Sequence, residues 1–545
     1  MQCLLIYPQF PKTFWSFESV LKLVGRKVTL PPLGLATVAA LFPDSWEFKL
    51  VDCNIRPVSD EEWAWADIVF CSAMVVQKRG LFDQIAAAKQ HAKLVAVGGP
   101  YATSVPEDMH QAGADFLVLD EGEITVPLFL EALEQGDTSG VFRADGEKPD
   151  VTQTPIPRFD LYDFNAYDSM SVQYSRGCPF LCEFCDIITL YGRRPRTKTA
   201  EQLMAELENL YEHGWRRSVF MVDDNFIGNK KNAKEMLRVL KAWQEAHGYP
   251  FAFLTEASVD LAQDKELMQL MVACNFESIF LGIETPDEES LSLTKKFQNV
   301  RNPLAEGVDT IVRAGLRPMA GFILGFDGEK KGAGKRITKF VEQTAIPTPV
   351  ISMLQALPNT GLWDRLEKEG RLHKDGGDIN QTTLTNFDTQ RPVDEIAQEY
   401  VEAFLSAYDE ERYLDRVYRC FLKLGPPVKT RSFSGWLMPE LDEIRVLFTV
   451  IYRQGVVRKT RWKFWHHYLN ILFRRTALLR HYLILMAHYE HHIDFRHIVR
   501  EQIESQLRLL EIETQRADVL TVLGNPNGKS QKEVKTESTP LAIKA

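Results

Sequence analysis

The sequence predicts an α/β protein in three parts: a doubly wound parallel sheet, a partial (β/α)6 barrel and a helical region. Two observations carry that prediction. Short apolar runs bounded by turn residues alternate with amphipathic helical stretches as far as residue 360, the pattern of parallel βα units. Beyond residue 390 the alternation stops and only helical periodicity remains. The length of 545 residues agrees, since about 150 residues per domain gives three to four units.

Residues 1–140 form the first, Rossmann-like unit. Its strands are expected at 3–7, 48–52, 68–73, 94–98 and 116–119, and its helices at 34–42, 79–92 and 123–135. An Asp-, Pro- and Thr-rich stretch then reads as a linker, 141–167. Residues 168–385 form the barrel. Its strands are expected at 170–175, 218–222, 251–255, 278–283, 318–324 and 349–355, with helices such as 200–213, 231–246 and 264–274 between them. In such a fold chemistry sits at the C-terminal ends of the strands. Residues 386–515 read as helical, and 516–545 as a disordered tail around Asn525-Pro526-Asn527-Gly528.

Composition removes several classes. At 45% hydrophobic and 25% charged the chain is globular. The charge sum, 64 − 74 = −10, argues against a uniformly basic nucleic-acid binder. Eight cysteines in this length exclude a disulfide-rich secreted module. Met1-Gln2-Cys3-Leu4-Leu5-Ile6-Tyr7 reads as a first strand and not as a signal peptide. The longest uncharged run, Gln343 to Trp363, carries three prolines and is no membrane span. The expected setting is a reducing cytoplasm.

Cys178, Cys182 and Cys185 form C-x3-C-x2-C directly after the first expected barrel strand. A structural zinc site wants four closed ligands, and the next histidine, His213, lies on a helical stretch. Three thiolates at this spacing suit a [4Fe-4S] cluster with one iron open to a substrate or cofactor. Gly177 and Pro179 permit a tight loop. Phe184 can cover the cluster and a stacked base, or be an ordinary core Phe. Arg193, Arg194, Arg196 and Lys198 can offset the charge of such a site or form a solvated face.

This C-x3-C-x-Phe-C pattern resembles the radical S-adenosylmethionine (SAM) superfamily, and further motifs follow in its order. Asp223-Asp224-Asn225-Phe226 closes the second barrel strand, where the family meets the SAM amino group; the alternative is a helix N-cap. Glu284 in Leu281-Gly282-Ile283-Glu284-Thr285 matches the family's contact to the SAM ribose. Gly321, Ile323 and Gly325 match its G-x-I-x-G strand, whose backbone meets adenine. Glu256 is a fainter SAM candidate. The resemblance implies that the reduced cluster cleaves SAM to methionine and a 5′-deoxyadenosyl radical, while the protein binds, orients and excludes water.

The first unit resembles a cobalamin-binding domain. Pro31-Pro32-Leu33-Gly34-Leu35 matches a motif of cobalamin-dependent radical SAM proteins, and Glu121-Gly122-Glu123 also recurs there. Pro32, Gly34, Gly98 and Gly99 are the candidate cobalamin contacts, the glycines allowing a bulky planar group near the backbone. In place of D-x-H-x-x-G stands Asp52-Cys53-Asn54, so the resemblance implies cobalt without a histidine ligand. Cys53 and Cys71 read as small hydrophobes.

From Tyr452 to His497 nine Lys/Arg face two acids, interleaved with aromatics and seven His. A basic-faced helical cap, a peripheral contact with the inner membrane face and nucleic-acid binding are the three readings, in that order. The His pairs 466/467 and 491/492 read as surface polar residues. The closest branch contains the hopanoid C-2 methylases. It implies methyl transfer to an unactivated carbon of a small-molecule or lipid substrate, with a reductase, flavodoxin or ferredoxin as electron donor. A radical SAM cyclase or rearrangement enzyme of tetrapyrrole or natural-product metabolism is the alternative, and a non-catalytic sensor a third. No catalytic side chain is assigned.

Overall fold

The computed structural model describes residues 1–300, 303–373, 379–428 and 441–523. Its first sheet has six parallel strands: β1 (Gln2–Tyr7), β2 (Glu47–Asp52), β3 (Ile68–Ser72), β4 (Leu94–Gly98), β5 (Phe116–Val118) and β6 (Gly140–Phe142). Their order is β2-β1-β3-β4-β5-β6. The chain grows outwards on both sides of β1, which opens a crevice at the carboxyl ends of the strands. Helices α1 (Leu33–Ala39) and α3 (Gly122–Glu134) bury Leu35, Val126 and Phe129 on one face of the sheet. Helix α2 (Lys78–Gln90) buries Leu81 and Ile85 against the other, where Cys71 is also buried. Cys53 is only half-buried.

The stretch expected as linker is more structured than its composition indicates. Gly140–Phe142 adds the edge strand β6, and Phe159, Tyr162 and Tyr167 are buried in the main core. A three-residue strand is too short for its periodicity to register.

The second sheet is also wholly parallel. It contains β7 (Met170–Val172), β10 (Ser218–Met221), β11 (Ala252–Ala257), β12 (Phe276–Glu284), β13 (Arg317–Leu324) and β14 (Thr348–Met353), in the order β14-β13-β12-β11-β10-β7. It curls around an open side between β14 and β7, with α4 (Ala200–Glu212), α5 (Lys230–Ala246), α6 (Lys265–Ala273), α7 (Leu304–Ala314) and α8 (Ala333–Thr344) following its strands. The strand expected at 170–175 is split. Asp223 captures the Tyr174 and Ser175 amides, so β8 (Ser175–Arg176) leaves the sheet and pairs antiparallel with β9 (Arg196–Thr197).

The helical region comprises α9 (Val393–Ala407), α10 (Glu410–Lys423), α11 (Leu441–Tyr452), a π-helical turn at Arg453–Val457, α12 (Arg461–Arg474) and α13 (Leu479–Leu523). Helix α13 continues into the stretch expected as tail, because residues 511–523 are rich in good helix formers; residues 524–545 lie outside the described ones. Phe14, from the segment after β1, is fully buried among Phe404, Tyr408, His492 and Phe495.

The histidine pairs are not surface residues, apart from exposed His466. His467 stacks on Tyr418 at 4.1 Å and His492 on Phe14 at 4.6 Å, while His491 Nε2 donates to the Phe14 carbonyl at 3.0 Å. These rings pack as flat aromatics, and burial lowers the His467 pKa to about 4, so they are neutral. Among the described residues no helix is long and apolar enough to cross a membrane.

Lys198 and Glu206 form a buried salt bridge beside the segment that leads into the cysteine loop. Replacing one partner strands a buried charge. Lys198→Met is expected to cost about 3–5 kcal/mol in chemical denaturation, and Lys198→Met/Glu206→Leu to recover most of that loss.

Candidate active site

The three cysteines lie on the loop that follows β8, and the acidic pair holds that loop in place. Gly177 has φ +92°, and a Cβ there would lie 2.9 Å from the Gly192 and Arg194 carbonyls, so only glycine fits. Its amide donates to Asp224 at 2.7 Å. Asp223 accepts from the Tyr174 amide (2.8 Å), the Ser175 amide (2.9 Å) and the Ser175 hydroxyl (2.7 Å). Neither aspartate caps α5, whose N-cap is Asn229.

Asn225 Nδ2 lies 3.9 Å from Cys178 Sγ, and Gln298 Nε2 lies 3.7 Å from Cys182 Sγ. Burial pushes all three thiols up, and Cys185 also feels the charges of Asp186, Cys182 and Cys178. All three are free thiols. Among the described residues no three such side chains converge tightly enough for a single metal ion. Three free thiols on one short loop are a ligand set that a [4Fe-4S] cluster can use.

Around the loop stand the other SAM candidates. Glu284 ends β12 at φ +64° and pairs with Lys296. A Cβ on Gly282 would lie 2.6 Å from Glu284 Oε1 and 2.7 Å from Lys296 Nζ, so this glycine makes room for the pair. Lys296 lies 5.8 Å from the centroid of the Phe184 ring, which leans on Phe326. Phe184 and Ile323 belong to one apolar cluster with Phe326 and Leu354. Gly321 sits beside the Phe280 ring, and Gly325, at φ +100°, donates its amide to Glu329 at 3.2 Å.

Of the SAM candidates, Asp224 and Glu256 line a cavity of about 2670 Å³; Phe184, Glu284, Gly321, Ile323 and Gly325 are not in its lining, and neither is Asp223. Its carboxylate is spent on the backbone behind the loop, so the expectation that it faces SAM is corrected to a positioning part. Sequence reasoning missed Lys296 and Gln298, whose approach to the loop depends on distant folding. Asn225 lay within a quoted motif without a role.

The same cavity reaches the carboxyl edge of the first sheet, where Pro32, Gly34, Gly98 and Gly99 line it. Beside Gly34 there is open space: no atom lies within 4 Å of where a Cβ would stand. A Cβ on Gly98 would lie 2.6 Å from the Val118 carbonyl, and Gly99 sits at φ +85°. These two glycines are therefore demanded by strand packing and by the turn at the crevice floor. A planar group fits an opening floored by small residues. His91 stacks on Trp63 at 5.1 Å, and neither it nor His110 lines the cavity. Asp52 accepts from Asn54 (2.7 and 2.9 Å) and Tyr167 (3.2 Å).

The two domains are locked by charge. Glu121 meets Arg176 at 2.9 Å and Arg196 at 2.8 Å, and Glu123 meets Arg176 at 2.8 Å. Arg196 and Lys198 are thus internal braces, while Arg193 and Arg194 are exposed.

Burial, with the charges of Asp224, Glu284 and Asp223, raises the Glu256 pKa to about 7. A raised carboxyl pKa makes ionisation unfavourable in the fold, so stability falls as pH rises from the ordinary carboxylate range through 7. In cofactor-free protein, Glu256→Gln is expected to raise stability at pH 8 by on the order of 1–3 kcal/mol, with the gain shrinking towards pH 5. Denaturation midpoints at the two pH values check this.

Comparison with known proteins places these units. The B12 binding domain matches residues 23–130, the radical SAM superfamily residues 172–341, and a domain of unknown function residues 360–505. An uncharacterized methyltransferase of Synechocystis is 64% identical over 93% of this chain and 94% of its own length. The hopanoid C-2 methylase of Rhodopseudomonas palustris is 35% identical over 89% of this chain and 93% of its own. The fold matches the cobalamin-dependent SAM radical enzyme OxsB with aqua-cobalamin bound, at TM-score 0.57, 16% identity and coverage of 95% and 81%. The cofactors are a [4Fe-4S] cluster, SAM and cobalamin. Related over nearly its whole length to both methyltransferases, the chain belongs to the cobalamin-dependent radical SAM enzymes, in the branch that contains the hopanoid C-2 methylases.

Proposed function

We propose that this enzyme methylates an unactivated carbon of a hydrophobic, hopanoid-like lipid. One observation carries the reading: the cavity that begins at the cofactor crevice continues past Phe220, Leu254 and Phe280 of the barrel to Leu447 and Ile484 of the helical region. Those last two side chains are exposed, and Phe448 and Tyr452 of α11 and Trp462 and Phe473 of α12 are exposed as well. A large apolar cavity opening on an apolar surface suits a substrate that is not free in water.

Cys178, Cys182 and Cys185 hold the cluster. Phe184, Asp224, Glu256, Glu284 and the backbone of Gly321, Ile323 and Gly325 surround SAM, with Asp223 fixing the loop. Pro32, Gly34, Gly98 and Gly99 border cobalamin. Bound together, these cofactors supply hydrogen abstraction and the methyl group, so the chain needs no general base of its own. Its residues bind, orient and keep water out, and a reductase, flavodoxin or ferredoxin supplies the electron.

The helical face rests on the inner membrane surface. Trp462, Leu469 and Phe473 share one face of α12, with exposed Arg461 and Arg474 beside them. Nucleic acid suits this segment less well. Five of its nine cations are tied internally: Arg453 and Arg458 to Glu490, Lys463 to Asp415, Arg475 to the Leu424 carbonyl and Arg496 to the Tyr408 carbonyl.

The test is anaerobic, reconstituted enzyme given methyl-labelled SAM, a reductant and hopanoid-containing lipid extract. Labelled lipid alongside 5′-deoxyadenosine is the expected result. Deoxyadenosine without labelled lipid overturns the methylase reading in favour of a cyclase or rearrangement. Trp462→Asp/Phe473→Asp is expected to weaken co-sedimentation with anionic vesicles at least about tenfold, since each aromatic loses its burial in the bilayer boundary.

A further inference from the structure

The barrel lumen is layered. Alternation along parallel strands points every second residue inwards. Near the cofactors the inward residues are Gln173, Asp224 and Glu256, with Val222 the apolar member of this layer. In the middle they are Phe220, Leu254, Phe280, Met319 and Val350, all apolar. At the opposite end they turn polar again, with Ser218, Ser278, Arg317 and Thr348. Arg317 donates to the Ser278 hydroxyl at 2.9 Å. His481 and Glu277, on the same wall, meet at 3.0 Å, and the buried His481 Nδ1 has no hydrogen-bond partner. Along β13, Arg317 stands six residues before Ile323, about 20 Å at 3.3 Å per residue.

A charged side chain at the far end of an apolar tunnel needs a polar partner or water. The cofactors are at the other end. Arg317 offers donors and Glu277 an acceptor of opposite charge, a balanced pair that suits an uncharged hydroxyl better than an anion. The exposed mouth formed by Leu447 and Ile484 is at this end too.

Resting on the lipid reading above, we infer that Arg317, Ser278, Glu277 and His481 form a subsite for the hydroxyl end of an elongated amphipathic lipid, which enters apolar end first between α11 and α13. Selectivity follows from the unpaired polar groups left when the hydroxyl is missing.

The experiment uses holoenzyme and two tritiated probes delivered from phosphatidylcholine vesicles: a pentacyclic triterpene bearing one terminal hydroxyl, and the hydroxyl-free hydrocarbon of the same skeleton. The intact enzyme is expected to bind the alcohol at least tenfold more tightly, and Arg317→Leu to bring that ratio close to one. Ser278→Ala, which removes a single oxygen, is expected to reduce the ratio by a smaller factor and serves if Arg317→Leu does not fold. Equal affinity of the intact enzyme for both probes overturns the subsite while leaving the lipid reading standing. A ratio that survives both substitutions overturns the assignment to these residues. Binding of neither probe overturns the lipid reading and the subsite with it.

Discussion

The arrangement depends on four side chains. Glu121 and Glu123, at the start of α3, meet Arg176 and Arg196 across the junction of the two parallel sheets. Arg176 lies two residues before Cys178, so the contact that joins the domains also sets the origin of the cysteine loop. Buried charges are costly unless their geometry is excellent. Here each carboxylate has several partners, and Glu123 also accepts from Thr154 at 2.6 Å. Burial works against ionisation of Glu123, but Arg176 outweighs it and holds the carboxyl below its usual range. A rigid joint at this point fixes the distance between crevice and loop. Reacting groups gain most from such fixing, since small misplacements are felt strongly in rate.

From that joint outward the barrel differs from a filled one. Closed eight-stranded barrels pack their interior with layers of branched side chains. This open sheet of six strands encloses space, and its inward layers run polar, apolar, polar. In the upper polar layer burial pushes the Asp224 and Glu256 carboxyls each up to about 7. Carboxyls perturbed in this way and gathered in a cleft are characteristic of functional sites.

Much of this was legible in the chain. The βα rhythm and the cysteine spacing are local signals, so β1 to β5, the barrel strands and the cysteine loop could be read from short windows. The part played by Asp223 could not, because its partners Tyr174 and Ser175 lie almost fifty residues upstream. The ion lock escaped for the same reason: Glu121-Gly122-Glu123 was noticed as a motif, but its arginines lie in another domain. His491 and His492 look like surface residues in a basic stretch, and only the arrival of Phe14 buries them. Three-residue β6 was missed because it is too short to show a period, and the extension of α13 because a tail was expected from residue 516 onward.

The docking of Phe14 has a consequence for synthesis. His491 and the Phe14 carbonyl are 477 positions apart. At 5–20 residues per second, roughly 25–95 s separate their emergence from the ribosome. During that interval the first sheet can assemble, yet the segment leaving β1 has no seat, and Phe14, Phe17 and Trp15 stay uncovered. The nascent chain therefore carries an aromatic tether for most of its translation, a natural binding point for a chaperone. Truncation before α13 removes His491, His492 and Phe495 from that seat and leaves Phe14 only its partners Phe404 and Tyr408 at the end of α9.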